Sequence, residues 1–169
     1  MDFMQLAKSR YSVRKYQDRP VEQDKLQRIL EAGRVCPTAA NKQPQRFLVV
    51  SSPEGLAKLG KSGNIHGAPL AIVVCCVKAK AWVRPFDGQD MVYTDASIVA
   101  THLMLKACEE GLGSCWIDMF DTAVVAKEFK LPEGTVAVHV LALGYADGQP
   151  ASPERHAKDR LPLEELMLE

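Results

Sequence analysis

The chain lacks an excess of either charge: among its 169 residues, lysine plus arginine and aspartate plus glutamate number 21 each. A dedicated nucleic-acid binder normally shows a basic surplus, so no nucleic-acid partner is expected. No stretch approaches the roughly 20 apolar residues that span a bilayer, so no membrane span is expected. Met1 to Arg10 has no apolar core followed by small residues, so no secretory signal is expected. Cysteines are few. Cys36, Cys75, Cys76, Cys108 and Cys115 are odd in number and form no C-x-x-C pair. They mostly sit in apolar runs, where a free cysteine behaves as a small hydrophobe, and this fits a reducing cytoplasm rather than a disulfide framework. His66, His102, His139 and His156 are scattered, without another ligand type at zinc-like spacing, so no metal site is expected. No strand is followed by G-x-G-x-x-G, and no Walker loop is present. Internal repeats, low-complexity tracts and obvious linkers are missing as well.

What is present suits one globular domain over 1–169, long enough for a real hydrophobic core. The apolar fraction of 47 % and the charged fraction of 25 % are ordinary. Met1 to Ser9 reads as a short helix. Val21 to Val35 reads as a second, with Leu26, Ile29, Leu30 and Ala32 at helical spacing and Gly33 and Pro37 marking its end. Cys36 to Gln45 reads as a loop. Arg46 to Ser51 and Ala68 to Val77 read as buried strands, the latter central and covered on both faces. Between them, Ser52-Pro53-Glu54 opens a helix with a serine cap and proline at its first position. Asp90 to Glu110 is the longest helical pattern and is apolar nearly all round its axis, which predicts burial on every side, in part against a second subunit. Gly111 and Gly113 end it. Cys115 to Ile117 suits a short strand, Asp121 to Phe129 a capped helix and Thr135 to Leu143 a strong strand. Gly144 to Arg160 reads as a polar surface segment, and Leu161 to Leu168 as a terminal helix. Helices between single strands predict a mixed sheet wrapped by helices, of α+β or α/β class.

Four segments carry candidate chemistry. Ser9-Arg10-Tyr11-Ser12-Val13-Arg14-Lys15 holds two arginines and two serine hydroxyls, donors that can surround a phosphate; a solvated basic turn is the plain alternative. Cys36 to Pro44 combines small residues with an amide pair, which lets a loop approach a flat ligand; an ordinary helix-to-strand connection would look the same. Gly111 to Asp121, with the run G-L-G-S-C-W-I-D-M-F-D, is unusually apolar after glycines, and a buried strand with a helix cap explains it equally. Arg155-His156-Ala157-Lys158-Asp159-Arg160 is a basic tail or a surface turn.

Together, in this order, S-R-Y-S-V-R-K-Y, P-T-A-A-N-K-Q-P and G-L-G-S-C-W-I-D-M-F-D resemble the nitroreductase family of FMN-dependent NAD(P)H oxidoreductases, over Phe3 to Leu166. The resemblance implies an α+β, three-layer fold with a central, mostly antiparallel mixed sheet flanked by helices. It implies FMN as cofactor and NAD(P)H as co-substrate. Residues matching Arg10, Tyr11, Ser12 and Arg14 line the phosphate, ribityl chain and pyrimidine edge, and Lys158 and Arg160 complete the phosphate cage. Arg155 is the substitute if the tail register is shifted. Pro37, Thr38, Ala39 and Asn41 match a segment that covers the flavin of the other subunit, so a homodimer with flavin sites at its interface is implied. Gln45 stands where an aromatic is common. Asp118 and Met119 match positions whose backbone N–H groups face the flavin N5 region, and Asn64 matches an amide that reads the pyrimidine edge.

The implied mechanism is ping-pong, with a nicotinamide and then a small acceptor, such as a nitroaromatic or a quinone, using one flavin face. No side-chain acid or base is assigned, because the cofactor performs the chemistry. Trp82, Tyr93, Trp116 and Phe120 are candidates for a pocket wall or for core. The connector Lys78 to Gln89 is shorter than in larger relatives, which suggests an open or differently roofed pocket. A non-enzymatic flavin-binding or sensing module of the same fold is the alternative function, and a cofactor-free interaction protein is a third class.

Overall fold

The computed structural model describes residues 2–168. Met1, at the start of the first expected helix, and Glu169 lie outside the described residues. Four strands form one sheet in the order β1-β2-β4-β3: β1 (Gln45–Val50), β2 (Leu70–Val77), β3 (Gly113–Ile117) and β4 (Thr135–Gly144). Every neighbouring pair of strands is antiparallel. The one parallel pairing is an isolated bridge between Ser12 and Ser114, outside the named strands.

The two interior strands are apolar along their length, as strands covered on both faces must be. From Leu70 to Cys76 every residue of β2 is buried. On one face lie α2 (Gln23–Val35) and α4 (Val92–Glu109), whose Ile29, Val99 and Leu103 pack against Ile72, Val74 and Leu141. On the other lie α3 (Pro53–Gly60) and α5 (Thr122–Glu128), whose Leu59 and Val125 pack against Val73, Cys75 and Val140. The short α1 (Phe3–Ser9) rests on α4. The result is a three-layer α+β fold with two separate apolar cores. Among the described residues no helix is long and apolar enough to cross a membrane, and all five cysteines are free thiols.

Local chemistry explains the element ends. Ser52 caps α3 by accepting the Gly55 N–H, with Pro53 at the first turn. Asp121 caps α5 by accepting from the N–H groups of Ala123 and Val124. Gly111, at φ +78°, terminates α4 in the left-handed conformation that glycine tolerates.

Helix α2 ends at Val35, as expected, begins at Gln23 rather than Val21, and holds Gly33 within its last turn. A Cβ there would sit 2.7 Å from Leu103 Cδ2 and 2.8 Å from Phe47 Cζ, so glycine is what lets α2 and α4 approach. Within one protomer the sheet-facing residues of α4 are buried, while Tyr93 is 68 % exposed and Thr94 and Thr101 face outward. The terminal segment makes only one 3-10 turn, Leu163–Leu166, and the tail before it holds a 3-10 turn, Pro153–Arg155, and the single-turn α6 (His156–Asp159).

Candidate functional site

The N-terminal arm is fastened along β3. Val13 donates its N–H to Ser114 O at 2.8 Å, and a Cβ on Gly113 would meet Val13 Cγ2 at 2.5 Å, so this contact needs glycine. The arm therefore carries Arg10, Tyr11, Ser12 and Arg14 past the start of β3. Ser9, Arg10, Tyr11, Cys108 and Ser114 line a small hollow of about 30 Å³ there.

The other end of the chain comes to the same place. Arg155 donates to Lys8 O at 3.2 Å and to Arg10 O at 2.5 Å, and also to Ser152 O at 2.8 Å. Arg155 is thus a strut between tail and arm, its Nη donors committed to carbonyls. Arg10 keeps its own guanidinium free of any ion pair among the described residues. Burial pushes the Arg10 guanidinium below its ordinary value, and repulsion from Arg155 and Arg160 pushes the same way. Arg155 shares a hollow with Glu154 and Asp159, yet none of the three arginines makes an ion pair among the described residues, so an anion placed between them would relieve their repulsion. Lys158 is exposed at the rim of an adjoining shallow hollow, with Ser152, Glu154 and Asp159. Arg14 is exposed, and its charge acts instead on the Cys115 thiol and the Tyr16 hydroxyl, on the opposite core.

The second part lies at the far end of β3. The Phe120 N–H donates to Asp118 O at 3.0 Å and the Asp121 N–H to Ser62 O at 2.8 Å, which makes 118–121 a tight turn. The N–H groups of Asp118 and Met119 have no backbone acceptor among the described residues. A Cβ on Gly63 would lie 2.6 Å from Met119 O, so the 62–64 segment presses on this turn and brings Asn64 beside it. The Asn64 carboxamide oxygen accepts the His66 N–H at 2.8 Å. The Asp118 carboxylate accepts from Trp116 Nε1 at 2.9 Å and from His139 Nδ1 at 2.6 Å.

The third part is the proline loop. Thr38 Oγ1 accepts the Gln43 N–H at 3.1 Å, and Ala40, Asn41 and Gln43 have positive φ of 48°, 53° and 50°. Asp95, fully buried on α4, anchors the loop by accepting the Ala39 N–H at 2.7 Å. Its second oxygen, Oδ2, has no partner among the described residues, nor has the buried Gln45 Oε1 nearby. Pro37 and Asn41 point outward.

These parts do not converge within one protomer. The loop precedes β1 and the 118–121 turn follows β3, at opposite edges of the sheet, about 14 Å apart at 4.8 Å per strand step. From Asp95 to Cys108, beside which Arg10 lies, is about 20 Å of helix axis. The arm, the tail and the 118–121 turn share the β3 edge; Pro37, Thr38, Ala39 and Asn41 sit across the molecule from them. A larger hollow of about 580 Å³ lies apart, lined by Tyr16, Val21, Leu26, Leu56 and Pro69, with Asp18 its only charged residue; it contains none of these groups.

Sequence reasoning passed over three residues of this site. Asp95 was hidden in an apolar helix, His139 in an apolar strand and Ser97 among helix-surface positions. The only available sign was a polar residue inside a strongly apolar run. No group of three or more His, Cys, Asp or Glu able to hold a metal occurs among the described residues.

Comparison with known proteins supplies the remaining evidence. Residues 7–64 and 56–145 match the model of the nitroreductase family. A nitroreductase family protein from Clostridium difficile, known as a crystal structure, is 48 % identical, with a TM-score of 0.97 over 99 % of this chain and 98 % of its own. An FMN-dependent nitroreductase from Clostridium difficile is 30 % identical, with a TM-score of 0.78 over 93 % of this chain and 96 % of its own. A protein of Methanothermobacter thermautotrophicus, provisionally named NADH dehydrogenase/NAD(P)H nitroreductase, is 31 % identical over 97 % of this chain and 87 % of its own length. By this match and these relatives, the chain belongs to the nitroreductase family.

Proposed function

We propose that residues 1–169 form one FMN-binding domain of a cytoplasmic oxidoreductase. It passes a hydride or electron pair from NAD(P)H through flavin to a small acceptor, such as a nitroaromatic or a quinone. The observation that carries this reading is that Arg155, from the tail, is bonded to the Lys8 and Arg10 carbonyls of the arm, which brings cations from the two ends of the chain together with no ion pair on Arg10 among the described residues. A flavin phosphate carries nearly two negative charges, and guanidinium forks match its oxygens. The name of the FMN-dependent relative supports the same cofactor.

The donor set fits FMN. Arg10, Tyr11, Ser12 and Arg14 from the arm, with Lys158 and Arg160 from the tail, would hold the phosphate, ribityl chain and pyrimidine edge, with Asn64 adding an amide. The free N–H groups of Asp118 and Met119 would face N5, where a donor stabilises charge that develops on reduction. The bound flavin supplies the redox chemistry; the protein binds it, orients it and offers fixed dipoles. The placement of Pro37, Thr38, Ala39 and Asn41 on the opposite edge supports a homodimer in which this loop covers the partner's flavin. The outward Tyr93 and the exposed Phe3 and Met4 give that assembly apolar surface to cover.

The purified chain should be yellow, release FMN on denaturation and have the mass of a dimer. It should oxidise NADH or NADPH when a quinone is supplied. A yellow protein without turnover would favour the flavin-binding module. A colourless monomer indifferent to added FMN would overturn the reading.

A further inference from the structure

His139 is the one polar residue among Val136–Leu143 of an interior strand, and it is 5 % exposed. The pairing of β3 with β4 sets its direction: Ile117 is opposite Val140, so the next position along brings Asp118 opposite His139 on the same face, and a slip in the β2–β4 pairing lies just before it. Val74 is opposite His139 and Cys75 opposite Ala137, so Val138 is left without a partner. Such a bulge re-aims side chains. Ala137 faces the α3–α5 core, whereas His139 shares the α4 face with Leu141 and Leu143.

On that face four side chains surround the imidazole. Nδ1 lies 2.6 Å from Asp118 Oδ1 and Nε2 lies 3.0 Å from Ser97 Oγ on α4. The Trp116 ring packs on it with centroids 4.6 Å apart, and the Tyr93 ring meets it edge-on at 6.4 Å. A carboxylate only accepts hydrogen bonds, so Nδ1 carries the hydrogen in this pair. The partner, Asp118, has a side chain 65 % exposed. A carboxylate left so exposed would normally rotate freely. Here two donors, His139 Nδ1 and Trp116 Nε1, meet at one of its oxygens. Residue 118 begins the turn in which its own N–H and that of Met119 have no backbone acceptor among the described residues, so what fixes the carboxylate also fixes their direction.

We propose that His139 is a positioning residue: from inside the sheet it holds the Asp118 carboxylate, and through it aims the Asp118 and Met119 N–H groups at the reactive edge of the flavin. This rests on the reading above that the turn faces N5. Ser97 and the Trp116 ring keep the imidazole in the orientation that Asp118 requires. Fixed donors of this kind act most where charge develops, so their loss weakens binding of reduced FMN more than of oxidised FMN.

The test uses the full chain with FMN. The Kd of oxidised FMN is measured by fluorescence quenching, and the midpoint potential of the bound flavin by equilibration with a reference dye. His139→Leu and Asp118→Ala should each lower the potential, with reduced FMN losing roughly tenfold or more affinity relative to oxidised FMN. The double variant should lose no more than either single one, because both act through one bond. His139→Asn, which keeps a nitrogen donor near the Nδ1 position, should restore most of the potential; His139→Gln, whose nitrogen lies farther out, should not. Asp118 is exposed, so its variant reports even if a core substitution fails to fold. A flavin-loaded wild type whose potential is unmoved by His139→Leu and Asp118→Ala would overturn the role of His139 and leave the flavin reading standing. A wild type that binds no FMN would overturn both.

Discussion

Asp95 and Ala39 are joined across 56 residues of chain: a fully buried carboxylate on α4 accepts the Ala39 N–H at 2.7 Å, and this bond ties the proline loop to the core. The carboxylate is only half used, since Oδ2 has no partner among the described residues. Burial raises the Asp95 carboxyl above its ordinary range, while the Ala39 bond pulls it down. The folded protein therefore binds this proton more tightly than the unfolded chain. The stability it contributes is complete below the unfolded value of about 3.9 and is lost as pH rises through the higher folded value. Asp95→Asn keeps an acceptor for Ala39 and removes the buried charge. It should be at least as stable as wild type at neutral pH, and its stability should vary less above about pH 4. Asp95→Ala strands a donor and should cost about 1–3 kcal/mol, with faster hydrogen exchange at Ala39. Urea unfolding across a pH series separates the two; equal losses in both variants would refute the account.

Gly63 presses against the turn proposed to face the flavin. A Cβ there would come within 2.6 Å of Met119 O, a backbone atom that cannot swing away as a side chain could. Gly63→Ala should therefore displace the turn, destabilise the protein by about 1–3 kcal/mol and reduce FMN affinity, while far-ultraviolet circular dichroism stays unchanged. Wild-type stability and FMN binding in this variant would show that the contact is slack.

Arg10 illustrates binding capacity held at a cost to the free protein. Its guanidinium is repelled by Arg155 and Arg160, while the bond that Arg155 makes to residue 10 is to the backbone carbonyl, which any side chain at that position retains. Arg10→Ala should weaken FMN binding by about 1.5–3 kcal/mol, roughly ten- to hundredfold. The same change should leave the stability of the flavin-free protein equal or greater. Fluorescence titration and thermal melts of the flavin-free protein read these separately. Unaltered FMN affinity would remove Arg10 from the phosphate site.

Leu103 is fully buried where α4 meets Gly33 of α2. Leu103→Ala should cost about 2–5 kcal/mol, and Leu103→Lys should abolish folding. The check is the denaturant midpoint together with soluble yield; a soluble, folded lysine variant would mean that the helix is far less enclosed than it is drawn here.

Much of the fold was legible locally. The strands and the helices from α2 to α5 lie within a few residues of where apolar spacing places them, because period 2 and period 3.6 are properties of neighbouring residues. The serine cap of α3, the aspartate cap of α5 and the glycine ending α4 were readable for the same reason. The packing role of Gly33 was not readable, since a glycine near a helix end and one that admits a neighbouring helix look alike in one dimension. The terminal segment was misread as a helix: Leu163 and Leu166 are three apart but remain exposed, and without a face to bury the segment makes only a 3-10 turn.

The sequence by itself determined the elements, their order, the family and the three motif segments, all matters of residue type at short range. The tertiary structure alone decided which of these meet. Sheet order put the proline loop and the Asp118 turn on opposite edges, a return of the tail set Arg155 against Arg10, and the register of β3 on β4 set Asp118 opposite His139. Such contacts depend on chain path and strand register, which no local pattern of side chains encodes.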